Sequence, residues 1–249
     1  METPFYSHLK QLKFSSVYPP SEDTFVLLDA LEADAEFLKN RGILSSITNY
    51  ESLESITNYE SLESITNYES LEVGSGIVSA FAGQVLDKQV VVVGTDINAA
   101  ALDSAQLVVA DPRNKLTKAG RGGKLPTVSF EFISSNNLVC LRDSFKFDLV
   151  VYNPPYVETD ISEVGTITFS ALSGGPDSGR NVLLRLCAEL VPLLSSCSVF
   201  YLVLIARNRP EVTLDLISDL IPALVSASIV LDRRAGIEHL FVLRFVVGK

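Results

Sequence analysis

The sequence predicts an α/β fold: a mainly parallel sheet flanked by helices, closed by an antiparallel hairpin at its end. Three observations carry that prediction. Short β-branched runs alternate with stretches of helical periodicity from Leu71 onward. The most apolar of these runs, Val90 to Thr95 and Phe147 to Tyr152, read as strands buried on both faces. The last two runs, Ser228 to Leu231 and His239 to Val246, follow one another with only a turn at Ala235 and Gly236 between them.

The first element is a helix. Pro19 and Pro20 precede Ser21, Glu22 and Asp23, which together supply a proline start, a capping hydroxyl and an acidic first turn. The helix is expected to run to about Lys39, with Phe25, Leu28, Leu31 and Leu38 on one face and Asp29, Glu32 and Glu36 on the other. The segment Ser46 to Glu54, SITNYESLE, then recurs unchanged at Ser55 to Glu63 and at Ser64 to Glu72. Copies this short cannot stack into a core of their own, so 46–72 reads as a tandem insertion within one domain spanning 1–249. Only the last copy is obliged to enter the fold.

Leu71 to Val73 is the next strand candidate, followed by a helix over Ile77 to Leu86, the strand Val90 to Thr95 and a helix over Asn98 to Val109 capped by Asn98. Val128 to Ile133 and Phe147 to Tyr152 are strands, Asn181 to Leu194 a helix, Val199 to Ala206 a strand and Pro210 to Leu220 a helix before the closing hairpin.

Charge excludes one substrate class. Lys plus Arg number 20 against 30 Asp plus Glu, giving a formal net charge of −10. An acidic surface repels polyphosphate, so free nucleic acid is a disfavoured partner. The basic, glycine-rich stretch from Arg113 to Lys124 reads as a solvated loop. No apolar run is long enough to span a bilayer, and Met1 to Gln11 carries Glu2, His8 and Lys10 where a signal peptide needs apolar residues. A soluble chain of the cytoplasm, and of the nucleus as a second compartment, is expected. Cys140, Cys187 and Cys197 are odd in number and widely spaced, which indicates neither a disulfide framework nor a metal site.

The residues with chemical content stand at strand ends, where open parallel sheets bind ligands. Glu72, Val73, Gly74, Ser75 and Gly76 form a glycine turn into a helix, which lets a ligand approach the backbone. Asp96 ends an apolar strand, where a carboxylate suits the two hydroxyls of a ribose; its structural alternative is a helix cap. Asn153, Pro154, Pro155 and Tyr156 follow the strand Phe147 to Tyr152 directly. The Asn153 side-chain oxygen and the Pro154 carbonyl, held rigid by proline, are two acceptors able to grip one NH2 group and aim its lone pair at an electrophile. Tyr156 can close over a planar group or face a sulfonium cation. No histidine base is needed, because the nitrogen turns acidic only once alkylated, and neither His8 nor His239 is expected near these strand ends.

On these residues, the chain resembles the HemK-like release-factor glutamine methyltransferases of eukaryotes. Val17 to Phe25, Leu71 to Gly74, Thr95 to Asn98, Gly174, Gly175 and Arg234 to Gly236 extend the likeness over most of the chain outside the repeat. The tetrapeptide also occurs in methyltransferases acting on adenine; the opening with Tyr18 and its acidic residues is the more specific part. The resemblance implies a Rossmann-like class I fold dependent on S-adenosylmethionine, and N5-methylation of the glutamine in the Gly-Gly-Gln loop of the class 1 translation termination factor. It also implies a heterodimer with a small zinc-binding activator subunit, bound along an apolar sheet edge. Tyr18, Thr24, Glu72, Gly74, Gly76, Asp96, Asn137, Leu138 and Asn153 are then expected at the cofactor. Asn153, Pro154, Pro155 and Tyr156 are expected at the substrate, with Asn153, Pro154 and Tyr156 catalytic.

Two departures from the family pattern stand out. The glycine turn runs from Gly76 straight into Ile77, two residues shorter than usual. In the region where an aspartate normally accepts from the adenine amino group stand Asn136, Asn137 and Leu138, so the uncharged Asn137 is the available acceptor. Two rival readings remain: an adenine amino-methyltransferase of the same fold, and a binding subunit that keeps the fold without catalysis.

Overall fold

The computed structural model describes residues 1–41, 66–71, 73–86, 90–114, 128–135, 141, 146–154 and 180–248. Among them, seven strands form one sheet: β1 (Thr66–Leu71), β2 (Val90–Asp96), β3 (Val128–Ser134), β4 (Phe147–Tyr152), β5 (Leu194–Ile205), β6 (Leu224–Ala235) and β7 (Glu238–Val247). Their order across the sheet is β3-β2-β1-β4-β5-β7-β6. The first five are mutually parallel, while β7 runs antiparallel to both β5 and β6, so the expected closing hairpin forms.

The helices are α1 (Glu22–Ala33), α2 (Ala35–Asn40), α3 (Ile77–Leu86), α4 (Ala99–Ala110), α5 (Arg180–Leu190) and α6 (Pro210–Leu220). They cover both faces of the sheet, one apolar cluster lying on each. On the first, Leu27 and Leu31 of α1 and Ala82 of α3 meet Val92 and Tyr201, all fully buried. On the second, Leu183 and Cys187 of α5 meet Phe147, Phe200 and Phe245. Each leucine buried this way contributes roughly 1.5–3 kcal/mol. No helix among the described residues is long and apolar enough to cross a membrane.

Several elements differ from the sequence expectation, each for a physical reason. The single helix expected to Lys39 is two helices, because the chain bends at Asp34. Asp34 Oδ2 accepts from the Tyr201 hydroxyl and from Arg244 Nη1, each at 2.7 Å, contacts no local pattern can announce. Burial and the Asp34 partner push the Tyr201 hydroxyl above its ordinary pKa, keeping it a donor. The strand expected at Leu71 to Val73 lies earlier, at Thr66–Leu71, formed by the polar third copy of the repeat. Lying between β2 and β4, that segment is drawn into strand form by hydrogen-bonded neighbours on both sides. The helix expected to Leu194 ends at Leu190 and closes with a tight turn through Pro192, after which β5 begins early, at Leu194.

Candidate active site

Strand register places the site. Leu71 of β1 aligns with Thr95 of β2 on one side and with Tyr152 of β4 on the other. Asp96 and Asn153, each the next residue, therefore stand level at the carboxyl edge of the sheet, flanking the path of the chain as it leaves β1. The apolar character of β2 and β4 is what puts them there, since both strands are covered by helices on two faces.

Asp96 is 9% exposed and both of its oxygens are engaged by backbone: Oδ2 accepts from Gly74 N–H at 3.0 Å and Oδ1 from Asn98 N–H at 2.8 Å. Burial raises its pKa, and those two N–H groups pull it partway back. Asp96 thus serves the glycine turn and the start of α4 together, while each oxygen keeps a second lone pair for a ligand hydroxyl. Asn98 caps α4 as the sequence indicated, accepting from Ala100 N–H at 3.0 Å. Its amide nitrogen ties α4 to the carbonyl of Ser16.

The glycine turn is built for close packing. Gly74 and Gly76 have φ of +52° and +85°, the left-handed region that L side chains rarely adopt. A Cβ on Gly76 would lie 2.4 Å from Ala105 Cα, so α4 itself excludes any side chain there. Buried Ser104 of α4 donates to the carbonyl of Ser75 at 3.1 Å, fixing the turn from beneath. Ile97 beside it is 72% exposed, an apolar surface adjoining the Asp96 carboxylate that the sequence reading did not single out.

At the other strand end, Asn153 Nδ2 donates to Asp23 Oδ2 at 3.0 Å. Asp23 belongs to the first turn of α1, is 4% exposed, and accepts from Thr24 N–H through its other oxygen at 2.7 Å. Ser21 is the N-cap of α1, as the sequence indicated, and its backbone N–H donates to Thr24 Oγ1 at 3.4 Å in a capping box. With its nitrogen held by Asp23, Asn153 is left with Oδ1, which is shielded from solvent and accepts no hydrogen bond among the described residues. Tyr18 is half-buried in the same neighbourhood; burial first, then the Asp23 charge, raises its hydroxyl pKa and keeps it neutral.

The structure therefore brings Tyr18, Thr24 and Asp23 to Asn153 and Pro154 at one end, and Gly74 and Gly76 to Asp96 at the other. Glu72, Asn137, Leu138, Pro155 and Tyr156 lie outside the described residues. Both histidines come nearer the site edge than expected. His8 Nε2 sits 3.0 Å from Ser104 Oγ, the hydroxyl that braces the glycine turn, and His239 opens β7 beside the end of β5, paired with Asp232. Neither is linked to Asn153 among the described residues. Asp23, which the sequence reading placed in the first helical turn and in the motif of the resemblance but gave no role of its own, is the residue that holds the Asn153 amide.

Human methyltransferase HEMK2 is 34% identical to the chain over 247 residues, covering 98% of this chain and 95% of that protein. The chain belongs to the HEMK2 methyltransferase family. Within the family, the eRF1 methyltransferase catalytic subunit mtq2 of Schizosaccharomyces pombe is 31% identical over 250 residues, again covering 98% and 95%. A solved structure, the E. cuniculi Mtq2-Trm112 complex responsible for methylation of the eRF1 translation termination factor, matches with a TM-score of 0.56 at 23% identity, covering 94% of this chain and 99% of the matched one. That likeness, with a ribosomal protein L11 methylase from Lactobacillus delbrueckii at TM-score 0.50, 15% identity and coverage of 91% and 80%, establishes the class I methyltransferase fold. No family profile matches the chain.

The donor set fits S-adenosylmethionine. A buried carboxylate with spare lone pairs, the exposed apolar Ile97 and the glycine turn at the start of α3 suit, in order, ribose hydroxyls, a purine face and close backbone approach.

Proposed function

We propose that this member of the HEMK2 family transfers the methyl group of S-adenosylmethionine to the side-chain nitrogen of the glutamine in the Gly-Gly-Gln loop of a eukaryotic class 1 release factor. The observation that carries the reading is the orphaned Oδ1 of Asn153. A shielded acceptor left without a donor costs about 1–3 kcal/mol, a cost recovered when a primary amide supplies its N–H.

The chain's own part in the reaction is to bind and orient. Asn153 Oδ1 accepts one hydrogen of the target NH2, and the Pro154 carbonyl accepts the other, which turns the nitrogen lone pair out of conjugation and toward the donor. Asp96 and the turn at Gly74 and Gly76 fix the cofactor, which supplies the electrophilic methyl. Tyr156 and Pro155 are assigned to the target by the sequence motif alone. A general base is not required, since the proton leaves only after the new bond has made the nitrogen acidic.

A small zinc-binding activator subunit is proposed as partner, seated on the β3 edge. At one margin of the sheet, β3 offers half-buried Val128, Phe130, Phe132 and Ile133, whereas the opposite margin, β6, carries Asp232, Arg233 and Arg234 just before its last residue, Ala235. An apolar edge that must stay soluble calls for a cover.

The test is mass spectrometry of a class 1 release factor incubated with the chain, its activator and S-adenosylmethionine. A gain of about 14 Da on the loop glutamine, one CH3 replacing one hydrogen, is the expected result. Transfer to an oligonucleotide with the release factor left unmodified overturns it.

A further inference from the structure

An asparagine amide is nearly symmetric in shape, and a half-turn about its last side-chain bond exchanges an acceptor for a donor at small cost. What faces the substrate is therefore not settled by Asn153 itself. It is settled by whatever holds the other half of the amide, and that is Asp23, whose Oδ2 can only accept from Nδ2 at 3.0 Å. Asp23 has little freedom of its own: its Oδ1 is bound by the Thr24 N–H at 2.7 Å, and α1 is anchored by buried Val26, Leu27 and Leu31.

We propose that Asp23 is a positioning and specificity residue: by locking the Asn153 amide with Oδ1 toward the target, it makes the site accept a side chain that offers N–H and reject the isosteric carboxylate. The inference rests on the reading of the target as glutamine. Under it, glutamate in the same loop would set a negative oxygen against Asn153 Oδ1, with the Asp23 carboxylate directly behind. A site built around one hydrogen-bond polarity discriminates strongly because the wrong partner leaves buried polar groups unpaired.

The experiment uses the complete chain with its activator, the release factor, and a release factor carrying glutamate in place of the target glutamine as competitor. Asp23→Asn keeps the shape but presents an amide nitrogen to Asn153, so the Asn153 amide turns over and shows its own nitrogen to the substrate. Turnover on glutamine is expected to fall about a hundredfold while cofactor affinity stays within about threefold. The glutamate competitor should gain at least about tenfold in affinity, a change that loss of packing alone would not produce. The double exchange Asp23→Asn with Asn153→Asp restores an acceptor toward the target, and should recover activity above that of Asp23→Asn. Unchanged turnover in Asp23→Asn, a competitor that gains nothing, or a double variant no better than the single overturns the proposal. If instead the unaltered protein leaves the release factor unmethylated, the glutamine reading fails first and this one falls with it.

Discussion

Gly74 N–H donates to Asp96 Oδ2 at 3.0 Å, joining the turn after β1 to the end of β2 through a carboxylate that burial has made less acidic than usual. The sign of the pH effect follows. Ribose hydroxyls bind the ionised form best, and a raised pKa means that protonation begins at a higher pH than for an exposed aspartate. Affinity for S-adenosylmethionine is expected to be flat near neutrality and to fall about tenfold per pH unit once below the Asp96 pKa, with onset at a higher pH than for an exposed aspartate. Calorimetric titration across pH checks this; Asp96→Asn should bind weakly throughout and lose the dependence.

Gly76→Ala places a methyl group into Ala105 at a backbone angle that alanine resists. The expected cost is at least about 3 kcal/mol, from strain and overpacking together. Urea denaturation measures it, and cofactor affinity should drop in the same variant because turn and α4 must part.

Asn153→Ala removes the orphaned acceptor and releases Asp23 from its partner. Turnover should fall by about a hundredfold or more, with cofactor affinity changed less than about threefold. Retained turnover, measured by steady-state kinetics on the release factor, would remove Asn153 from the mechanism.

Asp34→Ala leaves the partly buried Arg244 and the fully buried Tyr201 without their shared acceptor. A loss of about 2–3 kcal/mol in unfolding free energy is expected, moderated by the partial exposure of the pair. Tyr201→Phe, which removes one bond and keeps the charge pair, should cost about 1 kcal/mol.

Burial pushes the Cys187 thiol up to about 12. It is expected to resist iodoacetamide near pH 8 until the protein unfolds, since the thiolate is the nucleophile. Alkylation followed by peptide mapping reads this directly.

The strands that carry the site were legible because their residues satisfy the rule for doubly covered strands by composition alone: Val90 to Val93 and Phe147 to Val151 have few polar atoms to place. Asp96 and Asn153 were then located simply by standing at the ends of such runs. β1 was misplaced because Thr66 to Leu71 carries no apolar signature, and only its two neighbours make it a strand. The bend at Asp34 and the role of Asp23 were hidden for a related reason. Their partners Tyr201, Arg244 and Asn153 lie more than a hundred positions away in sequence, so nothing local distinguishes either aspartate from a solvated helix acid.

The strand order also works as a measuring rod. With β1 interposed, the ends of β2 and β4 are separated by two strand spacings, roughly 10 Å. Whatever spans from Asp96 to the target beside Asn153 must have that reach: a nucleoside with a sulfonium arm bridges it, and a compact methyl donor lacking the sugar would fall short. On the proposed reading, the spacing of the strands thus adds a selection for donor length to the contacts that the side chains make.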